Sequence, residues 1–271
     1  MTVILCITTL LIAGYLLMLS GRNGKKGLDL LRGWNYAHRG LHGTGIPENS
    51  MAAFREAVEH GYGIELDVHL MRDGNLAVIH DASLKRTAGA DVKIEDLTAE
   101  ELPQYHLEGT EQTVPLFSQV LALVAGKVPL IIELKSERNN FEALTAAAVQ
   151  AMEGYDGIWC MESFDPRCVR SLRKQHPQVI RGQLSENFLK TPDLKVPKAL
   201  KLTMALLLPN FLTKPDFIAY RFSDRKLFSN RICCDLWGLQ EVNWTIKTQE
   251  DLDAAVAAGA LVIFEGFLPE P

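Results

Sequence analysis

Cysteine is scarce in this chain and forms no pattern. Its five residues, Cys6, Cys160, Cys168, Cys233 and Cys234, match no metal-ligand spacing, and the neighbours Cys233 and Cys234 make a poor disulfide. A reducing compartment is the simpler setting. Basic runs are missing as well. The chain has 28 Lys and Arg against 33 Asp and Glu, for a net charge of -5, which argues against nucleic acid as a partner. No motif marks out a protein partner either. Charge is absent altogether from Thr2 to Ser20. As a helix this stretch covers about 28 Å, so residues 1–21 read as a transmembrane helix. The run has no polar face, which argues against a helix buried in a core. It also has no basic residue ahead of it, which argues against a cleaved signal peptide. Arg22, Lys25, Lys26 and Arg32 all follow it. By the positive-inside rule the protein is then single-pass in the cell membrane with its domain in the cytoplasm.

What is present after that is ordinary globular composition, 47% hydrophobic and 23% charged over 271 residues. A Gly/Lys-rich linker, 22–33, leads into one domain, 34–271. Nine apolar runs read as strands: Tyr36–His38, Gly63–Val68, Leu76–His80, Leu130–Lys135, Ile158–Ser163, Val179–Leu184, Phe217–Phe222, Glu241–Ile246 and Leu261–Glu265. Helical patterns alternate with them over Ser50–His60, Leu116–Ala125, Phe141–Met152, Pro166–Gln175 and Gln249–Ala258. The class is therefore α/β with a parallel sheet. Between Asp67 and His80 there is room for the turn Arg72-Asp73-Gly74-Asn75 and no helix. A parallel crossover needs a dozen or more residues, so Leu76–His80 runs back as a hairpin. Eight barrel strands remain, the count of a TIM (β/α)8 barrel, with a small insertion after strand 2 over roughly 68–115. A second long connection carries the apolar stretch 199–212, flanked by Lys195, Lys198, Lys201 and Lys214. It is too short to span a bilayer. Two readings stand: an interfacial membrane-docking segment or a helix packed on the barrel.

Chemistry concentrates in four short blocks: Ala37-His38-Arg39-Gly40, Glu65-Leu66-Asp67, His80-Asp81 and Glu133-Leu134-Lys135. Glu65 and Asp67 are two apart on a strand and share a face. With Glu133 they converge at a barrel mouth, where three carboxylates repel unless a cation bridges them. Oxygen-only ligands select one hard divalent ion, Ca²⁺ or Mg²⁺. His38 and His80 are a candidate acid–base pair, and Arg39 is a planar phosphate ligand. Taken singly, each of these residues has a duller reading as a strand-end or surface group; the convergence is what favours a site.

These blocks, with Pro47-Glu48-Asn49-Ser50, Arg72-Asp73-Gly74, Ser163-Phe164 and Trp244-Thr245, resemble the glycerophosphodiester phosphodiesterases. The match runs in order from about Trp34 to the C-terminus. The resemblance implies a TIM barrel with an insertion, metal ligands Glu65, Asp67 and Glu133, and His38 and His80 as acid and base. It further implies phosphate contacts from Arg39 and Lys135, with Trp244 beside the glycerol. The reaction implied is hydrolysis of a glycerophosphodiester to glycerol 3-phosphate and an alcohol. The substrate is a soluble head-group diester or a membrane-derived one such as a lysophospholipid. The last strand departs from the family pattern, reading Leu261-Val262-Ile263-Phe264-Glu265-Gly266, where no proposed catalytic residue lies. Two other readings are a non-catalytic glycerophospholipid-binding barrel, which has no use for both histidines, and a phosphatidylinositol phospholipase C relative. The Pro47-Glu48-Asn49-Ser50 block gives the latter no support.

Overall fold

A computed structural model describes residues 1–22, 24, 26–191 and 196–270. Lys25 and Lys195, both counted above as basic flanks, lie outside the described residues. Eight parallel strands close into a barrel: β1 (Asn35–His38), β2 (Gly63–Leu70), β4 (Leu130–Leu134), β5 (Trp159–Ser163), β6 (Arg181–Ser185), β7 (Phe217–Arg221), β8 (Gln240–Ile246) and β9 (Leu261–Phe264). Pairing of β1 with both β2 and β9 completes the ring. The remaining strand, β3 (Leu76–Val78), runs antiparallel to β2, so the hairpin argument holds. This is a TIM barrel.

Helices α2 (Met51–Glu59), α4 (Phe117–Val124), α5 (Phe141–Ala151), α6 (Pro166–Gln175) and α10 (Gln249–Ala257) pack around it. Their starts follow from sequence. Ser50, Asp165 and Thr248 each accept a backbone N–H in the first turn, the usual N-cap chemistry. The main core lies between sheet and helices, with Phe54, Leu66, Phe117 and Ile132 fully buried. A smaller cluster, including Tyr36, Ile131, Phe217 and Ile263, fills the barrel.

Between β2 and α4 the chain makes an excursion containing β3, the short helix α3 (Lys85–Ala88) and several single turns. It has a core of its own, with Met71, Ile79, Leu84, Ile94 and Leu102 buried together. Buried His69 anchors it: the imidazole bonds the Glu95 carboxylate through Nδ1 (2.7 Å) and contacts the His80 carbonyl through Nε2 (3.2 Å). The stretch read as docking segment or packed helix becomes α7 (Lys198–Ala205) and α8 (Asn210–Thr213). Packing on the barrel is what the contacts show. Ala205 and Leu207 are buried against the barrel, while Leu202, Phe211 and Leu212 are exposed.

The transmembrane expectation is corrected. The N-terminal run forms α1 (Thr2–Met18), 17 residues long, because the chain leaves the helix where Leu19 is drawn into the fold. Leu19 packs with Leu207, Ile218 and Tyr220, and the Leu16 carbonyl accepts from the Trp237 indole at 2.8 Å. Among the described residues no helix is long and apolar enough to cross a membrane. The remaining short helix is α9 (Phe228–Arg231).

Candidate active site

The strand register aligns the chemistry. His38 pairs with Glu65 across β1 and β2, Asp67 with Glu133 across β2 and β4, and Glu133 with Glu162 across β4 and β5. His38, Glu133 and Glu162 end or nearly end their strands, and register sets Glu65 and Asp67 level with His38 and Glu133 before β2 runs on into the hairpin, at the face where a (β/α)8 barrel places its site. Glu65, Asp67 and Glu133 are buried and offer ligand atoms within 4.8 Å of one another. Lys135 bridges Asp67 (3.1 Å) and Glu133 (2.8 Å). Arg39 lies 3.6 Å from Asp67 through Nε, and Asn49 donates to Asp67 at 2.8 Å.

These cations do not balance the acids. Burial, then the charges of Asp67, Glu133 and Glu162, pushes Glu65 well above the usual carboxylate range. Burial also lifts Glu133 to about 7, against the pull of Lys135 and with the help of Asp67. Glu162 rises for the same reason, burial first and Glu133 second, and its Oε2 has no hydrogen-bond partner among the described residues. Asp67 alone is held low: burial opposes ionisation, but Lys135, His80 and Arg39 outweigh it. A cluster of acids pushed toward the neutral form by one another is short of positive charge. Its oxygen donors fit a hard divalent ion.

The two histidines are held alike from different elements. His38 Nδ1 lies 2.6 Å from the Glu265 carboxylate, and its Nε2 faces Glu65 at 3.9 Å. His80 Nδ1 lies 2.6 Å from Asp81. A carboxylate partner places the proton on Nδ1, so in each ring Nε2 remains for chemistry. The bond from His38 takes Glu265 down to about 2. Burial lowers the His80 imidazole, although Asp67 pulls the other way. Asp81 is in turn held by Arg86 (2.6 Å), Arg86 by Glu48 (2.7 Å), and Glu48 by Arg39 (2.8 Å). A chain of ion pairs therefore joins the insertion to the barrel mouth.

The backbone is shaped for these contacts. Arg39 and Asn49 adopt positive φ, 57° and 52°, which side chains normally avoid, and the Arg39 N–H donates to Glu65 at 3.0 Å. Gly40 follows at φ 78°, with Ala53 so close that a Cβ would meet its backbone at 2.9 Å. Trp244 lies over the opposite side of the mouth, edge-on to Phe164 at 5.4 Å and beneath the Arg221 guanidinium. Its indole N–H is buried and unpartnered among the described residues.

The structure thus brings His38, Arg39, Glu65, Asp67, His80, Glu133 and Lys135 together, with Trp244 across the mouth. Sequence reasoning passed over Glu265 and Glu162. Glu265 sits where the last strand departs from the family pattern, and that departure was the available signal. Glu162 lies one residue before Ser163-Phe164, and its inward direction follows only from the β4–β5 register.

A profile of the Glycerophosphoryl diester phosphodiesterase family matches residues 38–231. A glycerophosphodiester phosphodiesterase from Bacillus altitudinis is 33% identical over 170 residues, covering 59% of this chain and 69% of its own. A rat lysophospholipase D is 34% identical over 146 residues, covering 49% of this chain and 45% of its own. Among solved structures, an Oleispira antarctica phosphodiesterase in complex with the product sn-glycerol-3-phosphate superposes with TM-score 0.70. It is 22% identical, over 86% of this chain and 92% of that one.

Proposed function

The chain belongs to the glycerophosphoryl diester phosphodiesterase family and is an enzyme of that activity, and from this premise we propose how its residues perform it. The reading is of a metal-dependent hydrolase that cleaves a glycerophosphodiester to glycerol 3-phosphate and an alcohol. One observation carries it: three buried carboxylates from two strands converge within 4.8 Å beside two imidazoles whose Nδ1 atoms are already engaged.

Glu65, Asp67 and Glu133 would hold one Mg²⁺ or Ca²⁺ ion, which when bound neutralises them and draws charge from the phosphoryl oxygens. Arg39 and Lys135 supply the cations that orient the phosphate. The unpartnered Trp244 indole N–H supports a place for that ring beside a glycerol hydroxyl. The histidines divide the proton work. One Nε2 takes the proton of the glycerol 2-hydroxyl as its oxygen attacks phosphorus, and the other protonates the departing alcohol. The same pair, in reversed roles, delivers water to open the cyclic phosphate. Glu265 and Asp81 fix the two rings and stabilise each while it carries a proton, as carboxylate partners of catalytic histidines do.

The experiment is hydrolysis of glycerophosphocholine by the full chain and its Glu65→Gln and His38→Ala variants, with folding checked by thermal unfolding. Loss of turnover in folded variants supports the assignment; turnover retained in either overturns it.

We also place the enzyme at a membrane surface with its barrel on the cytoplasmic side. What supports this is the exposure of Val3, Ile4, Leu5, Leu10 and Leu11 along α1, followed by the exposed Lys26 and Arg32. Apolar residues next to basic ones suit an anionic cytoplasmic leaflet. Co-sedimentation with phosphatidylserine vesicles, but not at high salt or with phosphatidylcholine alone, is the expected result; absence of binding to both contradicts it.

A further inference from the structure

A cavity of about 620 Å³ opens beside the mouth between α6, α7 and the loop after β6. Its apolar wall is made by Phe164, Pro166, Phe188, Val196, Leu200 and Met204. The polar groups at its rim are already occupied. Asp165 is bonded by Ser136 and Arg167, Arg167 also by Asn139, and the Lys201 ammonium donates to the Thr191 carbonyl at 2.6 Å. Among the described residues the charged groups of the lining are already paired, so burial of apolar surface is what this space offers a ligand.

The cavity is not separate from the site. Ser136, Phe164 and Asp165 line both it and the cleft that holds His80, Glu133 and Lys135. Phe164 is the shared wall: its ring lies 5.9 Å from the Lys135 ammonium, edge-on to Trp244 at 5.4 Å and edge-on to Phe188 at 6.0 Å. A substituent leaving a glycerol held at Trp244 therefore passes over Phe164 into the apolar space.

We infer that this cavity is an acyl-chain site, and that the preferred substrates are glycerophosphodiesters carrying one long-chain acyl group at glycerol O1 and a free 2-hydroxyl. This rests on the proposed reaction and on Trp244 facing the glycerol. The free 2-hydroxyl keeps the attack on phosphorus available. The bond broken is the phosphorus–oxygen bond to the head-group alcohol, one water is consumed, and the acyl ester is untouched. The products are 1-acylglycerol 3-phosphate and the alcohol. Leu200 and Met204, one turn apart on α7 and outside the catalytic machinery, set how much chain is accepted.

The test is kcat/KM of the metal-loaded full chain on glycerophosphocholine and on 1-acyl-glycerophosphocholines from hexanoyl to decanoyl, all below their micelle concentrations. The expected profile rises about threefold to fourfold per two-carbon step in part-exposed chain, a fraction of what full burial of each CH₂ gives. Leu200→Gln and Met204→Gln flatten that slope and leave the rate on deacylated glycerophosphocholine unchanged. A profile flat or falling with chain length in the wild-type chain overturns the acyl site, as does a slope that both variants leave intact. If neither class of substrate is hydrolysed, the failure lies with the proposed reaction and takes the acyl site with it. A 2-deoxy analogue of the decanoyl substrate separates binding from chemistry: it should inhibit the wild type and inhibit Leu200→Gln more weakly.

Discussion

The two halves of the site are built on opposite physical terms. In the barrel half, Glu65 and Asp67 are 3% and 1% exposed and fixed by strand register. In the insertion half, the side chains of His80 and Arg86 are 33% and 46% exposed and are fixed by a string of ion pairs. The barrel half therefore holds charge that water cannot screen, and removing or adding one charge there has a large effect. The insertion half relies on contacts that solvent weakens, so its members act mainly by orientation. The difference implies that binding of charge and transfer of protons can be disabled separately.

The largest expected effect is in the barrel. Glu65→Gln should lower kcat/KM by about a thousandfold or more, the scale of losing electrostatic stabilisation in a desolvated site. The same variant should raise the thermal midpoint of the metal-free protein, because it removes an acid that its neighbours repel. Steady-state kinetics and calorimetry on one preparation check both. A fall in both quantities would mean that Glu65 is structural.

Next come the imidazoles. His38→Ala and His80→Ala should each cost about a hundredfold to ten-thousandfold in kcat, the range for a general acid or base. Substrate KM should change little. A loss confined to KM would assign these rings to binding.

Smaller again is the relay. Arg86→Met removes the partner shared by Asp81 and Glu48 and should cost about tenfold in kcat, with the alkaline limb of the pH–rate profile displaced. Arg86→Lys should recover part of it. An unchanged profile would show that the insertion holds His80 without the ion pairs.

The smallest effect is thermodynamic. Glu65, Glu133 and Glu162 have folded-state pKa values above their unfolded ones, Glu133 at about 7. Between about pH 4.5 and 7 the folded metal-free protein therefore binds more protons than the unfolded chain, and its stability falls as pH rises. His80 and His42, both lowered by burial, work the other way against three acids. A bound cation removes the acids' contribution. The gap in thermal midpoint between metal-loaded and metal-free protein should widen by several degrees from pH 5.5 to 7.5. A constant gap would separate the metal from the carboxylates.

Most of the fold was legible because each barrel strand is a short apolar run and the hairpin left no room for a crossover. The N-terminal helix was misread in length: composition reports an uncharged run from Thr2 to Ser20, but only packing shows Leu19 turning inward. In the site, residues carried by dense local blocks were visible, Glu65 and Asp67 through their two-residue spacing above all. Glu265 and Glu162 were not, because each acts through a neighbour on another strand. Register, not local sequence, brings Glu162 beside Glu133. The cavity under α7 was foreshadowed only as an apolar stretch, since its wall is shared among α6, α7 and the end of β5.

That the buried carboxylate cluster holds a divalent ion required for turnover is the proposal on which the mechanism rests. Its most direct test is metal titration of EDTA-stripped full-length protein, followed by glycerophosphocholine hydrolysis and by calorimetry. The stripped protein should show no turnover, recovery at one Mg²⁺ or Ca²⁺ per chain, and neither recovery nor heat of binding in Glu65→Gln. Full turnover after stripping, or equal metal binding by Glu65→Gln, would contradict it.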